Sequence, residues 1–529
     1  MKVFKLSVWV KLVAWFLLAA FGIKLLSLMT ERTERITNSP VRHAAKLIGA
    51  GAVYGAPPVP PPPPPPQPEH RPKATRTTKP INEPLELEQL LRANSARNWS
   101  LNDNCAPYPR FEDLHIENLY YQFTMGGNVS YYLMSAYYDR RLAIDTTPSV
   151  VLLGMISSLS GPFERAFCQL WYEQSAWPEL VDMERHVFGW FDSWGIGPDH
   201  VYPVLLTCPL VGTAREHRVP QLVSLVFGDR CARPCNALRV HYEAPQRRRA
   251  TRFGVCVKDL QFPTEDMSER FVEWLELMRL MGAERVIAYD LGGQTLLPNT
   301  MRTLKHYAKQ DGLLQLLPFR LLEGHPKPAA NYGLSKRLNE VLMYNDCLYR
   351  NMYEFDYLAV MDVDEVIMPL GKLHNWTALV ELLDTNNSRN SNSKSESAEN
   401  CYAKCSLCFR NVYFSRELPQ DGTPPASFYM LRHVQRVAEH LDANSAIKCL
   451  HATAYVTMVH NHFPLGWRGA CGPHDVPTAI GQMQHYREPD IKQTLKEPPP
   501  VRDDNIWRFK EQLISNALAV HRQLGWSLP

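Results

Sequence analysis

Residues 356–369 read DYLAVMDVDEVIMP, and this stretch decides the fold of the chain. Its apolar run Tyr357–Met361 contains β-branched and aromatic residues, which is typical of a buried strand. The run ends in the acidic segment Asp362–Glu365, after which the apolar pattern resumes. Because burying unpaired charge is costly, the position of these carboxylates indicates a function.

The acidic segment predicts a divalent-metal site. Asp362 and Asp364 are two positions apart, so on an extended segment their side chains point the same way. Carboxylate oxygens suit hard cations such as Mg²⁺ and Mn²⁺, which neutralise a diphosphate and help it to leave. The alternative is a strand end with solvated acids, since a bare DxD triplet is common by chance. Its position directly after an apolar strand favours the metal site.

Length and composition are those of a globular protein with tails. The chain has 529 residues, of which 45% are hydrophobic and 21% charged. A formal net charge of +3 indicates no nucleic-acid partner. All 12 cysteines lie from Cys105 onward, so they can form disulfides if that part of the chain occupies an oxidising lumen.

The amino terminus predicts a membrane anchor within residues 1–30. Leu6–Met29 is apolar and long enough to span a bilayer if Lys11 and Lys24 reach the headgroups. A cleaved signal peptide is the alternative, but no convincing small-x-small cleavage site is present. The downstream cysteines and glycosylation sequons require a lumenal carboxyl-terminal part, which makes the chain a single-pass type II membrane protein.

A proline-rich, disordered stalk is predicted for residues 31–97. Pro57–Pro68 is nearly all proline and predicts polyproline II, a semi-rigid spacer. The polar segment Ile81–Arg97 is compatible with a helix. Four glycosylation sequons support a lumenal domain, and their acceptor residues are Asn98, Asn128, Asn375 and Asn386.

Residues 98–250 predict a β-rich accessory region. Asn118–Val150 alternates and is rich in tyrosine, and Met125–Asn128 (MGGN) lies between two such runs, as a hairpin turn does. The tyrosines are better explained by a core or a sheet surface than by stacking on sugars. Further strands are predicted at Val150–Leu153, Val201–Leu206 and Leu222–Phe227.

From Phe253 onward strands alternate with helices, and residues 251–529 predict one α/β domain. Such an order is typical of a mostly parallel sheet, which binds ligands at the carboxyl ends of its strands. Asp290 and Asp362–Glu365 fall at such ends. The strands are predicted at Phe253–Lys258, Arg285–Tyr289, Leu313–Phe319 and Tyr357–Met361, and the helices at Glu269–Met281, Asn299–Gln310 and Leu334–Tyr353.

The last third of the chain leaves two alternatives open. Residues 385–400 are rich in serine and asparagine and predict a disordered insertion. Cys401, Cys405 and Cys408 favour disulfides over a zinc site, because their spacing matches no recognised knuckle. His460 ends an alternating run and is able to complete a metal site begun by the aspartates, although such histidines are more often structural. Arg487 is a candidate phosphate contact or an exposed surface residue.

An ordered set of motifs, from about residue 253 to about residue 487, resembles glycosyltransferase family 92. The motifs are Cys256-Val-Lys258, Glu273-Trp-Leu-Glu276 with Gly282, Tyr289-Asp290, Asn345-Asp-Cys-Leu-Tyr-Arg350, Asp362-Val-Asp-Glu365 with Pro369, Val459-His460 and His485-Tyr486-Arg487. The family pattern usually shows Cys-Val-x-Pro-Leu at the first strand. Asp259 stands here in place of that proline, in a loop near the expected nucleotide.

The resemblance implies a GT-A fold, a mixed and mostly parallel sheet flanked by helices, and inverting transfer from a nucleotide sugar. It implies a Golgi membrane β-galactosyltransferase that uses UDP-galactose and Mn²⁺ on glycoprotein glycans, with fucosylated N-glycans as one acceptor type. Two groups of site residues follow by position: the metal ligands Asp362, Asp364 and His460, with Asp362 also at the diphosphate, and the nucleotide or sugar contacts Lys258, Asp290 and Asp346.

Inverting displacement requires a base that takes the proton of the attacking hydroxyl. Three carboxylates of the last third are candidates, namely Glu439, Asp442 and Asp475. Retaining transfer needs no such base and is the alternative within the class. A non-catalytic lumenal lectin-like or adhesion protein that kept the fold is the alternative outside it, but that hypothesis leaves Asp362–Glu365 unexplained.

Overall fold

The computed structural model describes residues 79–95, 105–141, 147–173, 175, 177–197, 199–210, 218–245, 250–292, 295–322, 332–390 and 403–526. All of them belong to one compact unit, Lys73–Pro529. The predicted anchor, most of the predicted stalk and the sequon at Asn98 lie outside the described residues. None of the helices within these ranges is both long and apolar enough to span a bilayer.

The elements of the amino-terminal half are mainly strands. They are α1 (Pro84–Ser95), β1 (Gln122–Gly126), β2 (Val129–Asp139), β3 (Ser149–Ile156), β4 (Ala166–Trp171), β5 (Glu179–Asp182), β6 (Arg185–Phe188), β7 (Tyr202–Pro209), β8 (Leu222–Phe227) and β9 (Leu238–His241).

The carboxyl-terminal half alternates strands with helices from Phe253 to Val360, as the sequence predicts, and consists mainly of strands after that. Its elements are β10 (Phe253–Asp259), α2 (Ser268–Met281), β11 (Ala283–Asp290), α3 (Pro298–His306), β12 (Leu314–Pro318), α4 (Tyr332–Asn351), β13 (Tyr357–Val360), β14 (Glu365–Pro369), α5 (Trp376–Asn390), β15 (Lys404–Phe409), β16 (Asn411–Tyr413), α6 (Tyr429–Arg432), β17 (Gln435–Arg436), β18 (Lys448–Ala452), β19 (Val456–Val459), β20 (Pro464–Trp467), β21 (Cys471–Asp475), β22 (Gly481–His485), β23 (Val501–Arg502) and α7 (Lys510–Leu524).

The β-rich region forms a nine-stranded sheet in the order β5-β4-β8-β9-β2-β3-β7-β6, with β1 paired to β2. The predicted hairpin is confirmed, since Gly126 pairs with Val129 across the turn. Gly127 in this turn has φ 59°, a conformation that glycine adopts without steric cost. Strand β3 is buried at every position, so this sheet has a core of its own.

Helix α1 lies inside the range predicted as disordered stalk. Leu87 and Leu91, one helical turn apart, are fully buried against Trp171 and Leu222 of the first sheet. The stalk boundary predicted at residue 97 was therefore too late, because these two leucines form an apolar stripe that packs on the sheet.

The second sheet is mixed and mostly parallel, as predicted. Its order is β12-β11-β10-β13-β18-β15-β21, and the first four strands run parallel. Strand β18 runs antiparallel to both of its neighbours. In β10 the side chains of Val255 and Val257 face the cluster that contains α2, whereas Cys256 faces α4. The sheet therefore has helices on both faces.

Helix α4 packs against both sheets. Its residues Val341 and Tyr344 share one hydrophobic cluster with Val151 of the first sheet and Ile287 of the second. A disulfide also joins α4 to β10, between Cys347 and Cys256. The β-rich region is thus continuous with the α/β region through a common core around α4.

The described residues contain four disulfides and two free cysteines. Besides the bond from β10 to α4, the pairs are Cys105–Cys231, Cys168–Cys208 and Cys408–Cys449. The preference for a disulfide over zinc is confirmed at Cys408, which lies opposite Cys449 on neighbouring strands. It was wrong for Cys405, which is free and buried in the core.

The predicted insertion at residues 385–400 is shorter in the structure. Helix α5 continues to Asn390, so the prediction of a disordered loop was wrong for residues 385–390. Residues 391–402, including Cys401, lie outside the described residues.

A buried ion-pair network fastens the β-rich region to the α/β region. Asp139 of β2 pairs with Arg141 at 2.7 Å and with Arg468 at 2.5 Å. The guanidinium of Arg141 also donates to the carbonyl oxygens of Thr453 and Val456, each at 2.6 Å. Asp139 and Arg141 are 2% and 3% exposed, so neither charge is stabilised by water.

We expect Asp139→Asn to lower the free energy of unfolding by about 3–5 kcal/mol, because the change leaves a buried arginine without its counter-charge. Guanidinium titration of the variant and the wild type measures the difference. Asp182→Asn is the matched control: its pair with Arg165 is largely exposed, and we expect a change within about 1 kcal/mol. Equal effects of the two substitutions would contradict the assigned role of Asp139.

Candidate active site

Two parallel strands present charged side chains at the same edge of the second sheet. Cys256 of β10 pairs with Val360 of β13. Two residues beyond this pair the strands reach Lys258 and Asp362, whose side chains meet at 3.0 Å. The strand alternation alone therefore brings the predicted nucleotide contact beside the predicted metal ligand.

The turn after β13 is held by its own third carboxylate. The backbone N–H of Asp362 donates to the Glu365 carboxylate at 2.8 Å, and the Glu365 N–H donates to the Asp362 carbonyl oxygen at 3.1 Å. The indole N–H of Trp274 on α2 donates to the Glu365 carbonyl oxygen at 2.9 Å. Glu365 is 1% exposed, so its role is to shape the turn.

Lysine ammonium groups surround Asp362 on two sides. Lys258 lies 3.0 Å from Asp362 and 3.0 Å from Glu340 of α4. Lys448 is fully buried and lies 3.7 Å from Asp362 and 3.0 Å from Glu365. Burial alone raises the pKa of Asp362, but the two ammonium groups outweigh it and hold that pKa far below its ordinary value. Asp362 is therefore ionised at every physiological pH.

Asp364 faces His485, which sequence reasoning quoted in a motif but did not assign to the site. Strand β22 pairs with β14 so that His485 stands opposite Glu365, and Tyr486 N–H donates to the Asp364 carbonyl oxygen at 2.8 Å. The Nε2 atom of His485 lies 3.7 Å from the Asp364 carboxylate. Burial raises the pKa of Asp364, but His485 more than offsets this and lowers it.

These side chains open into a cleft of about 330 Å³. Its lining combines both charges, with the basic residues Lys258, Arg270, Lys336, Arg416 and Arg487 and the acidic residues Asp259, Glu265, Asp362, Asp364 and Glu488. The sequence predicted ligand contacts for Lys258 and Arg487, and both line the cleft. The remaining cleft arginines, Arg270 and Arg416, carry no local sequence signal.

One wall of the cleft is a tyrosine held by a buried carboxylate. Tyr429 lines the cleft, and the guanidinium of Arg270 lies over its ring at 4.2 Å. Glu273, one turn along α2 from Arg270, accepts hydrogen bonds from the backbone N–H groups of Met430 and Leu431, each at 2.9 Å. Burial raises the pKa of Glu273 to about 7. Glu273 thus positions Tyr429 through the backbone beside it.

The cleft side chains that are able to ligate a metal fit a cation that also binds phosphate. Two ligand atoms on one such cation, each at about 2.0–2.2 Å, are at most about 4.4 Å apart. The 3.7 Å between Asp364 and His485 is compatible with that limit. No group of three His, Cys, Asp or Glu side chains is arranged as a complete metal site in the part of the chain that the structure describes. A cation that takes its other ligands from water and phosphate needs only one or two carboxylates.

The structure places His460, the predicted third ligand, outside the lining of the cleft. The ring of His460 packs against Trp194 at 4.9 Å and against Phe463 at 5.0 Å, and it does not line the cleft. The reason is strand pairing. The strand that pairs with β14, next to the acidic turn, is β22 with His485, and not β19, which precedes His460. Burial, with Lys448 and Arg337 nearby, lowers the pKa of His460 to about 4.

Asp346, predicted as a nucleotide or sugar contact, does not line the cleft either. It is 1% exposed and pairs with Arg350 at 2.6 Å, while Tyr289 donates to it at 2.7 Å. Tyr137 of the first sheet is a further hydrogen-bond donor to this carboxylate. Asp346 therefore joins the two sheets inside the shared core.

Asp290 lies at a strand end, as predicted, but does not line the cleft. Its carboxylate accepts the N–H of Gly292 at 2.8 Å, and its carbonyl oxygen accepts the N–H of Phe319. Both contacts shape the turn after β11, whereas the cleft lies beyond β10 and β13. Sheet order, which the sequence does not show, separates it from the acidic turn.

None of the three predicted bases lines the cleft. Glu439 and Asp442 are exposed outside it, and Asp475 forms an exposed ion pair with Arg410 at 2.6 Å. The cleft carboxylates besides the two aspartates of the turn are Asp259, Glu265 and Glu488. Their partners are Gln261, Arg270 and Arg416, respectively.

The described sequons lie away from the cleft. Asn128 follows Gly127 in the β1–β2 turn, and Asn375 precedes α5, where its side chain accepts the N–H of Ala378 at 2.9 Å. Asn386 is on α5 itself. Their glycosylation stays a prediction.

We expect the free energy of unfolding to fall as the pH rises from about 4.5 to about 7, by up to about 3 kcal/mol, through Glu273. The native state keeps the proton of this carboxyl up to a pKa of about 7, whereas the unfolded state releases it near the ordinary 4.5. Chemical denaturation of the wild type and of Glu273→Gln at pH 5 and pH 7.5 gives this contribution as the difference between their slopes, since buried histidines such as His460 contribute with the opposite sign in the same range.

Glu269→Gln is the control, since Glu269 is exposed on the same helix and its substitution leaves the pH slope as in the wild type. A slope that is identical in wild type and Glu273→Gln would refute the assignment to Glu273.

Comparison with known families gives a match to the carboxyl-terminal half. The sequence model of a family described as glycosyltransferase family 92 matches residues 251–519, slightly more than half of the chain. No curated protein matches the chain. The matched range begins just before β10 and contains every residue that lines the cleft.

Proposed function

The chain belongs to glycosyltransferase family 92, and we propose that it transfers galactose, in β-linkage with inversion, from UDP-galactose to a glycoprotein glycan. The observation that carries this proposal is the pairing of two strand-end aspartates with five basic side chains around one cleft. A sugar diphosphate needs that combination, because its charge requires both a cation and direct basic contacts.

The basic side chains are the proposed contacts of the diphosphate. Lys258 is anchored between Asp362 and Glu340, so it supplies a fixed ammonium at the floor of the cleft. Arg416 and Arg487 are 67% and 44% exposed at the rim, where they pair with Glu488 at 2.6 Å and with Asp490 at 2.5 Å, and an entering phosphate would compete for these guanidinium groups. Arg270 is held over Tyr429, which leaves part of its guanidinium edge for hydrogen bonds.

We propose Mn²⁺ as the cofactor, with Asp364 and His485 as its protein ligands and Asp362 beside the diphosphate. A cation bound there supplies charge stabilisation to the departing UDP. Lys258 and Lys448 keep Asp362 ionised, and β22 keeps His485 opposite the turn. The acceptor hydroxyl loses its proton to a carboxylate in the inverting reaction, for which the cleft offers Asp259, Glu265 and Glu488.

We also propose that the enzyme is a single-pass type II protein of the Golgi membrane with this domain in the lumen. The four disulfides of the described residues support an oxidising compartment. Fucosylated N-glycans of glycoproteins are the proposed acceptors.

We expect Asp364→Asn to lower kcat/KM for galactose transfer by about 100-fold or more, because it removes the charge that faces the proposed cation and diphosphate. The assay offers the protein a panel of UDP-sugars with Mn²⁺ and a core-fucosylated N-glycan, and it detects product by mass. Asp475→Asn is the matched control, since this carboxylate is exposed and outside the cleft.

Full transfer by Asp364→Asn, or transfer that persists in EDTA, would contradict a metal-dependent enzyme. A folded protein that releases no UDP from any donor would instead support the lectin-like or adhesion protein.

We expect His485→Ala to weaken Mn²⁺ binding by about 10- to 100-fold, because it removes an imidazole from the proposed coordination sphere. Electron paramagnetic resonance of free Mn²⁺ in the presence of UDP measures the binding directly. His460→Ala is the paired variant and leaves Mn²⁺ binding unchanged. The reverse outcome would restore His460 as the ligand.

A further inference from the structure

A loop of the β-rich region carries one exposed and one partly buried aromatic residue, Phe191 and Trp194, near the cleft. The loop joins β6 to β7, and its Phe191 is 48% exposed. Phe191 meets Trp194 edge-on at 4.8 Å, and Trp194 packs on His460 at 4.9 Å. His460 stacks in turn on Phe463 at 5.0 Å. We name these four side chains, Phe191, Trp194, His460 and Phe463, the aromatic ledge.

Residues 189–195, the part of the loop that carries Phe191 and Trp194, are braced by two contacts. Trp190 is 3% exposed, and its indole N–H donates to the Gly195 carbonyl oxygen at 2.7 Å. Gly189 lies so close to the core that a Cβ atom there would stand 2.8 Å from Val341 Cγ1 on α4. The ledge is therefore formed before any ligand arrives, which reduces the entropic cost of binding.

The ledge adjoins the cleft through α4 and Lys448. On α4, Lys336 lines the cleft, whereas the next residue, Arg337, is close enough to His460 to lower the pKa of its imidazole. The residue after His460, Asn461, accepts a hydrogen bond from Lys448 at 2.5 Å. Lys448 lies 3.7 Å from Asp362. Ledge and cleft are thus at the same edge of the second sheet.

The size of the cleft leaves the acceptor outside it. A volume of about 330 Å³ is at the lower end for ligand pockets, which are about 300–1,000 Å³. A nucleotide sugar fills such a space. The acceptor glycan must then approach along the adjoining surface, where the ledge offers exposed ring faces. Asp192, exposed between the two rings of its loop, adds a carboxylate that accepts hydrogen bonds from sugar hydroxyls.

We propose that the aromatic ledge is the acceptor subsite, on which the exposed ring of Phe191 stacks against a sugar ring of the glycan and Trp194, at right angles to it, contacts the edge of that sugar, so that its hydroxyl is oriented toward the cleft. This inference rests on the proposed transferase function and gives the β-rich region a part in acceptor choice. The ring faces supply apolar contact to the C–H faces of the sugar, and the partly buried partners of Trp194 keep its plane fixed.

The test compares Phe191→Ala and Trp194→Ala with the wild type, using the detergent-solubilised full chain and a core-fucosylated biantennary N-glycan. We expect each variant to raise the KM for this glycan about 5- to 10-fold. The KM for UDP-galactose and the rate of its hydrolysis by water stay unchanged, because neither needs the acceptor. Trp177→Ala is the matched control, since Trp177 is 47% exposed and is not part of the ledge.

An unchanged glycan KM in both variants overturns the proposal. So does an equal loss of UDP-galactose hydrolysis, since the substitutions would then act on the fold. Phe191 is half-exposed, which makes its variant informative even if Trp194→Ala does not fold.

A second readout separates this proposal from the proposed function. If the wild type neither transfers galactose nor hydrolyses UDP-galactose, the proposed transferase function is refuted, whatever the ledge does. Tryptophan fluorescence of the full chain titrated with the same glycan then tests the ledge alone. Quenching in the wild type that is lost in Trp194→Ala supports glycan binding there, and no quenching overturns it.

Discussion

The buried ammonium of Lys448 is the interaction on which the site depends. It has no exposed surface, so its charge must be balanced by the carboxylates of Asp362 and Glu365. Glu365 in turn accepts the N–H of Asp362, which closes the acidic turn on itself. The carboxylates of this turn repel one another, and the buried ammonium of Lys448 offsets the repulsion and holds the turn in one shape. Asp364 is left at the edge of this cluster, where it faces the cleft.

Helix α4 connects the acidic turn to the cores of both sheets. At its middle it supplies Glu340 to Lys258 and packs against both sheets. At its end Asp346 and Arg350 pair inside the core, with a tyrosine of each sheet bonded to the carboxylate. The β-rich region is thus part of the same packed unit as the cleft.

Asp259 is a departure from the family pattern with a visible structural partner. It stands where the family usually has proline, at the end of β10, and is 8% exposed. Gln261 donates a hydrogen bond to its carboxylate, so the side-chain contact ties the loop that a proline ring would otherwise stiffen. Asp259 lines the cleft, so it adds a carboxylate to the lining at this position.

Local pattern was enough to predict the elements from β10 to β13, their parallel order and the acidic turn after the last of them. Those features depend on side-chain periodicity and on the rule that parallel strands end at one edge, both of which can be read over a few residues. Lys258, which the family resemblance implied as a nucleotide or sugar contact, lies beside Asp362 in the structure. The membership of a family was predicted from an ordered set of short motifs and is confirmed over residues 251–519.

Tertiary structure alone decided which distant residues meet. His485 and His460 each end a strand near the carboxyl terminus, but only the strand of His485 pairs with β14, about 120 residues earlier. Asp346 belongs to a recognisable motif, yet its carboxylate is bonded to Tyr137, Tyr289 and Arg350 and joins the two sheets. The leucines of α1 became core only when the first sheet covered them. The sequence determined the segments and their chemistry, while pairing and burial, which are long-range and cooperative, determined which segments form the site.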